Sequence, residues 1–331
     1  MTRLRAIGRF IKQYGAGIWL ALIVPLAIWF GYRQRHDLAR TWDLVVHASP
    51  LWILGVLALE ASVFVMMATV YGLVLRQMGH TVRVITLLDI QLQRVVVGAL
   101  TPLGGASSIA LYVHRLRQRG IRPSASLLAA SIKSVTGHVA FLLLLVPALV
   151  MREPSALIIV SAICLTIIIV SMVTMLGFVL GNRKPPSFVH RRMPRRAMRF
   201  LVQMRQHKIS YRALVVPFIY SIGIKGGGVL TLFFCLKAVG FDGSFRVAIV
   251  AFVIGVVFGV MTPMFQGLGL VEIGMAVALG QMGVPGPEAV GATLLSRILG
   301  VWVPLAIGIV VQIVQGILAP GRSNADPATV G

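Results

Sequence analysis

Apolar residues run through this chain in long blocks instead of alternating with polar ones, and the blocks are long enough to cross a bilayer. A crossing needs about 20 such residues. Blocks near 50–75, 124–150, 155–181, 213–240 and 288–318, with a shorter one near 16–32, predict about six full transmembrane helices. Two further apolar regions, about 85–112 and 245–282, are each interrupted by a Thr-Pro step. These predict broken helices that enter and leave on one side.

The two interruptions are copies of one pattern. Gly98-Ala99-Leu100-Thr101-Pro102 and Gly259-Val260-Met261-Thr262-Pro263 lie 161 residues apart. Each is followed by a proline, Pro123 or Pro287, with a basic residue ten positions on, Lys133 or Arg297. Repeat units of about 50–181 and 213–318 follow, joined by a linker over 182–212. Three full crossings separate the Thr-Pro steps, so the second unit is expected to be inverted relative to the first, the geometric basis of alternating access in transporters. The expected fold is all-α and polytopic: about six full transmembrane helices plus two re-entrant broken-helix elements in an inverted repeat.

With 57% hydrophobic residues over 331 positions, the chain is too apolar for the inside of a soluble globule, and it reads as a single membrane domain over 1–331. The net charge of +22 would suggest nucleic acid in a soluble protein. Here the cations gather at the ends of apolar blocks, so anionic membrane lipids are the expected partner, with no nucleic acid. Placing both termini in the cytoplasm puts most Lys and Arg on the cytoplasmic side; Arg33, Arg35 and Arg40 are the exceptions. The linker carries Arg191, Arg192, Arg195, Arg196, Arg199, Arg205 and Lys208 interleaved with Met198, Leu201, Val202 and Met204. That pattern fits a basic amphipathic helix on the cytoplasmic leaflet, or a charge cluster that only sets topology. The N-terminal block, preceded by Arg3, Arg5, Arg9 and Lys12, lacks a small-residue cleavage site and reads as an uncleaved anchor.

A Thr-Pro step within apolar sequence is a helix-start signature: the hydroxyl can cap free amides, and proline at the first helical position gives up no needed donor. Thr101-Pro102 and Thr262-Pro263 would then begin half-helices whose amide ends suit a phosphate. Gly104, Gly105, Gly267 and Gly269 would let a headgroup approach the backbone. The bland alternative is a proline kink.

Charges inside spans usually face a cavity or a partner. Glu60, Asp89, Arg94, Lys133, Lys225, Glu272 and Arg297 form that set. Lys133 and Arg297 occupy equivalent repeat positions and could hold an anionic headgroup in turn. Lys225, followed by three glycines, could bring an ammonium to the pathway. Glu272 could neutralise Arg297 as a purely structural pair. Glu60 and Asp89 could carry protons or pair with Arg94. His138 reads as a packed helix residue, and Lys237 as a side chain reaching for the interface. No metal-ligand cluster, nucleophile elbow or phosphate-binding loop is visible, so neither metal nor cofactor is expected, and a transporter is favoured over an enzyme.

Thr262-Pro263-Met264-Phe265-Gln266-Gly267-Leu268-Gly269-Leu270-Val271-Glu272, with Gly283-Val284 and Leu294-Leu295-Ser296-Arg297, resembles the transmembrane region of lysylphosphatidylglycerol synthases, also called the flippase domain of multiple peptide resistance factors. The resemblance covers most of 50–318 and is specific in the second repeat. In the first, Leu103-Gly104-Gly105-Ala106-Ser107-Ser108 lacks the acidic and basic residues usual in that family. Full-length synthases carry a soluble aminoacyl-transfer domain after the membrane region, whereas this sequence ends shortly after its last apolar block. The resemblance implies a stand-alone flippase of the bacterial cytoplasmic membrane, moving an aminoacyl-phosphatidylglycerol-like or polyprenyl-phosphate-linked anionic lipid. A separate lipid-modifying enzyme is then a possible partner. The alternatives are a membrane-embedded glycosyltransferase, an accessory subunit of an envelope lipid-modifying enzyme, or a non-catalytic assembly factor.

Overall fold

The computed structural model describes residues 35–101, 104–150, 203–204, 209, 211–261 and 269–318, together with scattered helical positions between 163 and 177. The first apolar block, Pro102, the second Thr-Pro step with Gly267, and most of the basic linker lie outside the described residues. Within them the ordered elements are helical. Four helices are long and apolar enough to cross a membrane: Pro50–Gln77, Pro123–Val146, Arg212–Ala238 and Gly286–Gln315.

In chain order, α1 (Arg35–Val46) leads to α2 (Pro50–Gln77), then α3 (Val84–Leu100) and α4 (Gly104–Arg117), then α5 (Pro123–Val150). After the linker come α6 (Val215–Ala238), α7 (Phe245–Met261) and α8 (Leu270–Gln281), then α9 (Gly286–Arg297), a π-helical turn (Ile298–Trp302) and α10 (Val303–Leu318). The last three form one continuous rod. α2 begins at a proline, where the missing N–H costs nothing.

Both interrupted regions fold as helical hairpins. α3 packs on α4, and α7 on α8. At 17 and 14 residues in the first, and 17 and 12 in the second, each arm is about 18–26 Å long. A hydrocarbon core is about 30 Å thick, so no single arm fills it.

Glycine makes each hairpin possible. A methyl group on Gly104 would run into the carbonyl of Gly98 across the first turn, whereas Gly105 next to it has open space. In the second, Gly274 lies against Phe258 and Gly255 against Met275. Gly104→Ala should therefore cost about 2–3 kcal/mol through forced backbone displacement, and Gly105→Ala almost nothing. Thermal unfolding of the two variants in detergent reads this difference directly.

Four helices end in the same way. Gly79, Gly120, Gly240 and Gly283 have φ between 79° and 84°. At each, the next residue's N–H reaches back to close the last turn: His80 to Leu75, Ile121 to Leu116, Phe241 to Leu236 and Val284 to Leu279. These are Schellman ends, and glycine meets the left-handed backbone without a Cβ penalty. Gly79 and Gly240 close α2 and α6, while Gly120 and Gly283 close α4 and α8.

α2 and α6 run antiparallel over their full length. Ser49 N–H donates to Ala238 O at 3.0 Å at one end, and Gln77 Nε2 donates to Ala213 O at 2.8 Å at the other. Between these, Gly55 lies against Phe234, Val63 against Gly227 and Met66 against Gly223. Two apolar cores flank this pair. One gathers Tyr71, Leu75, Ile90, Tyr112, Leu116 and Leu128 around the first hairpin, with Met204 and Ile209 of the linker packed into it. The other gathers Leu232, Leu236, Ala251, Met275, Leu279 and Ala292 around the second.

Candidate anion cavity and its paired counterpart

Burial of a cation among apolar helices demands compensation, and the first hairpin side of the protein holds three cations in one place. A cavity of about 170 Å³ is lined by Met67 and Tyr71 of α2, Arg94 of α3, Ile109 of α4, Lys133 and His138 of α5, and Ser221 and Lys225 of α6. Among the described residues, no Asp or Glu lines it. Arg94 donates from Nη1 to Tyr71 Oη at 2.5 Å and to Gln91 Oε1 at 3.0 Å. Its guanidinium carbon lies 5.3 Å from the Tyr71 ring and 5.4 Å from the Tyr112 ring, within cation–π range. Those partners are neutral, and Arg94 Nε and Tyr112 Oη are buried with no hydrogen-bond partner among the described residues.

Lys225 Nζ lies 5.7 Å from the Phe141 ring. Lys133 forms no ion pair among the described residues. His138 donates from Nδ1 to Ser134 O at 2.6 Å, fixing its tautomer with a backbone bond four residues back. Ser221 donates to Pro217 O at 2.8 Å and lies 3.0 Å from Thr136 Oγ1, tying α6 to α5 beside the cavity. Three cations without an acidic partner among the described residues, in surroundings where each costs several kcal/mol to desolvate, are a standing attraction for an anion.

Arg297 has the opposite arrangement. Its Nε donates to Glu272 Oε1 at 2.6 Å, and the other carboxylate oxygen, Oε2, accepts from Gly269 N–H at 2.7 Å. Glu272 thus neutralises Arg297 and, as the N3 residue, accepts from the N-cap amide at the start of α8, one half of a capping box, since Gly269 has no side chain to return the bond. Gly269 holds the N-cap position at φ 90°, where a side chain would be strained. Arg297 borders a second cavity of about 350 Å³, lined also by Glu60, Thr231, Phe252 and Gly300 among others.

The residues singled out by sequence therefore separate into groups. Lys133 and Lys225 meet in the cationic cavity. Glu272 and Arg297 form an ion pair at the second. Thr101 is used differently from expectation: its hydroxyl donates backward to Val97 O at 2.7 Å, finishing α3, and α4 begins at Gly104. Neither Thr101 nor Gly104 nor Gly105 lines the cationic cavity. Pro102, Thr262, Pro263 and Gly267 lie outside the described residues.

Other pairings differ from the sequence reading as well. Arg94 takes Tyr71 and Gln91, not Asp89 or Glu60. Asp89 accepts from Gln93 at 3.1 Å and from Gln315 at 3.0 Å, linking α3 to α10. Glu60 accepts from Thr231 at 2.7 Å. Lys237 reaches the exposed Asp242 in the following loop. The Arg94–Tyr71–Tyr112 cluster was missed. Its signal was a tyrosine deep in an otherwise apolar stretch, since a buried phenol needs a polar neighbour.

Long apolar helices, paired hairpins and charged groups facing internal cavities define a helical integral membrane protein. Residues 17–308 match the lysylphosphatidylglycerol synthase TM region, and the chain belongs to that family. It is also 30% identical over 99 residues to a UPF0104 membrane protein of Methanothermobacter thermautotrophicus; the match spans 30% of this chain and 30% of that protein.

Proposed function

We propose that this protein is a flippase for anionic lipids, with the lipid phosphate held by Arg94, Lys133 and Lys225. The observation that carries this reading is the cavity that collects three cations and, among the described residues, no carboxylate. A bound phosphate would accept charge-assisted hydrogen bonds from all three and offset their desolvation. The capped amide end of α8 argues for these side chains, ahead of helix ends, as the anion's first ligands.

The architecture supports movement between two faces. α2 and α6 hold corresponding places in the two repeat units and run antiparallel, which is the relation an inverted repeat requires. On this reading the hairpins α3/α4 and α7/α8 are re-entrant from opposite faces. Lys133 and Arg297 are their counterpart cations, and Arg297 becomes available when its bond to Glu272 opens. Both termini face the cytoplasm of a bacterial inner membrane. A separate enzyme that modifies the lipid headgroup is the partner chemistry favours, given the family's association with such enzymes.

A lateral entrance accompanies the cavity. A groove between α4 and α5 is lined by Ala106, Ile109, Ala110, Val113 and Leu127, with His114 and Arg117 at one end. Ile109 lines both this groove and the cationic cavity. Acyl chains would lie along the groove while the headgroup passes Ile109.

Purified protein in phosphatidylcholine vesicles carrying a trace of fluorescent phosphatidylglycerol tests the reading by dithionite quenching. The protein should accelerate loss of the protected inner-leaflet signal, and Ile109→Trp should slow it at least about tenfold by closing the entrance, a barrier increase of about 1.4 kcal/mol. Equal rates with and without protein would overturn the proposal.

A further inference from the structure

The larger cavity contains a carboxylate that lipid binding does not use. Glu60 lies within the 28-residue helix α2, and among the described residues its side chain has one hydrogen-bond partner, the hydroxyl of Thr231 on α6. It has no ion pair there: Arg297, which borders the same cavity, is held by Glu272. Beside Glu60 runs the π-helical turn. Gly300 approaches the carboxylate so closely that an added methyl group would sit 3.4 Å from Oε1. A π turn inside an α-helix carries one extra residue and loosens the regular hydrogen-bond ladder. It follows Arg297 directly and supplies Gly300 and Val301 to the cavity wall.

An ionised carboxylate with a single neutral hydrogen bond is expensive at membrane depth, and the usual resolution is to take up a proton. Among the described residues, the charged and titratable groups around it are few. α6 contributes Cys235 and, farther along, Lys225. α9 contributes Arg297, neutralised by Glu272 of α8. α7 contributes Phe252, Gly255, Val256, Gly259 and Val260 to the cavity, none of them titratable. Lys133, His138 and Arg94 face the other cavity.

The same two helices line both cavities. Glu60 and Met67 sit on α2, and Thr231 and Ile224 on α6, each pair seven residues apart, or about 10 Å along the helix axis. Positive charge in the neighbouring cavity favours an ionised Glu60, and an anion that neutralises part of that charge weakens the preference. One unit of charge about 10 Å away, at an effective dielectric constant near 20, changes proton affinity about tenfold.

We propose that Glu60 is a proton-binding site whose occupancy rises when an anionic headgroup enters the Arg94–Lys133–Lys225 cavity, so that anion and proton bind together and cross together. Reciprocity then requires that protonation of Glu60 tighten anion binding by the same factor. The coupling half rests on the flippase reading; the proton site at Glu60 does not.

Infrared difference spectroscopy of the protein in nanodiscs tests both halves. The carbonyl stretch of a protonated carboxylic acid should be present near neutral pH in phosphatidylglycerol nanodiscs and absent in Glu60→Gln. Thr231→Val, which keeps the acid and removes its hydrogen bond, should shift the frequency of the same band. Titrated from about pH 5 to 9, its midpoint should lie about one unit lower in phosphatidylcholine nanodiscs, the tenfold linkage. No Glu60 band across that range would overturn the proton site, whether or not lipid is moved. A Glu60 band with one midpoint in both lipids would overturn the coupling. Loss of the band on adding sodium chloride at fixed pH, with choline chloride as control, would identify a sodium site and overturn the proton assignment.

Discussion

Replacing Lys133 or Lys225 with Gln should lower anion transport ten- to a hundredfold while leaving the protein as stable as before or more so. The two effects share one cause. Each lysine is a half-buried cation within a membrane-spanning helix, with no acidic partner among the described residues, so its desolvation is a cost carried by the resting structure. A bound phosphate returns that cost as a charge-assisted hydrogen bond of about 1.5–3 kcal/mol, close to ten- to a hundredfold in affinity. Removing the charge therefore removes anion affinity and relieves the empty state. Lys133→Met should raise unfolding stability by about 2 kcal/mol, in line with other replacements of buried charge by apolar groups. Arg94→Gln should lose transport equally but gain less stability, because its contacts to the Tyr71 and Tyr112 rings are lost as well. Dithionite quenching and thermal unfolding on the same preparations check the pair of effects; a lysine whose loss lowers both would be a packing residue.

Glu272→Gln should have the largest effect on stability, a loss of about 3–5 kcal/mol. One carboxylate serves two half-buried groups, Arg297 Nε and the Gly269 amide. The substitution leaves the guanidinium unpaired next to a cavity and weakens the cap of α8 at once. Arg297→Gln alone should cost less, since Glu272 keeps its bond to Gly269. The double variant should recover much of the loss, because no unpaired charge remains. A thermodynamic cycle over these variants in detergent measures the coupling. Additive losses would show that the pair contributes nothing through its contact.

Of the six predicted crossings, four coincide with long apolar helices among the described residues, while the block at 16–32 and most of that at 155–181 lie outside them; the two interrupted regions and several cavity-lining charges were also legible. Apolar block length and the Thr-Pro steps are local signals, and Lys133 and Lys225 stood out because a cation within an apolar block has few places to go. Partner choice was less legible. Arg94 could be matched to Asp89 five residues earlier, yet that spacing turns the two toward different neighbours: Arg94 meets Tyr71 and Asp89 meets Gln315 of α10. Such choices depend on which helix faces meet, and α2, α6 and α7 are apolar all round, so periodicity says little about their facing. The bond Thr101 makes was not legible, since a threonine hydroxyl can find the carbonyl four residues back and finish a helix as readily as another starts one. The Glu272–Arg297 pair was legible as one of two readings. The capping bond that fixes it lies in the Gly269 backbone.

The central claim is that an anionic lipid headgroup occupies the Arg94–Lys133–Lys225 cavity. Native mass spectrometry of the detergent-purified protein, offered equal amounts of phosphatidylglycerol and phosphatidylcholine, tests it most directly. The account predicts one phosphatidylglycerol retained per chain at activation energies that strip phosphatidylcholine, and its loss in the Lys133→Gln/Lys225→Gln variant. Equal retention of both lipids, or a phosphatidylglycerol adduct that survives removal of both lysines, would contradict it.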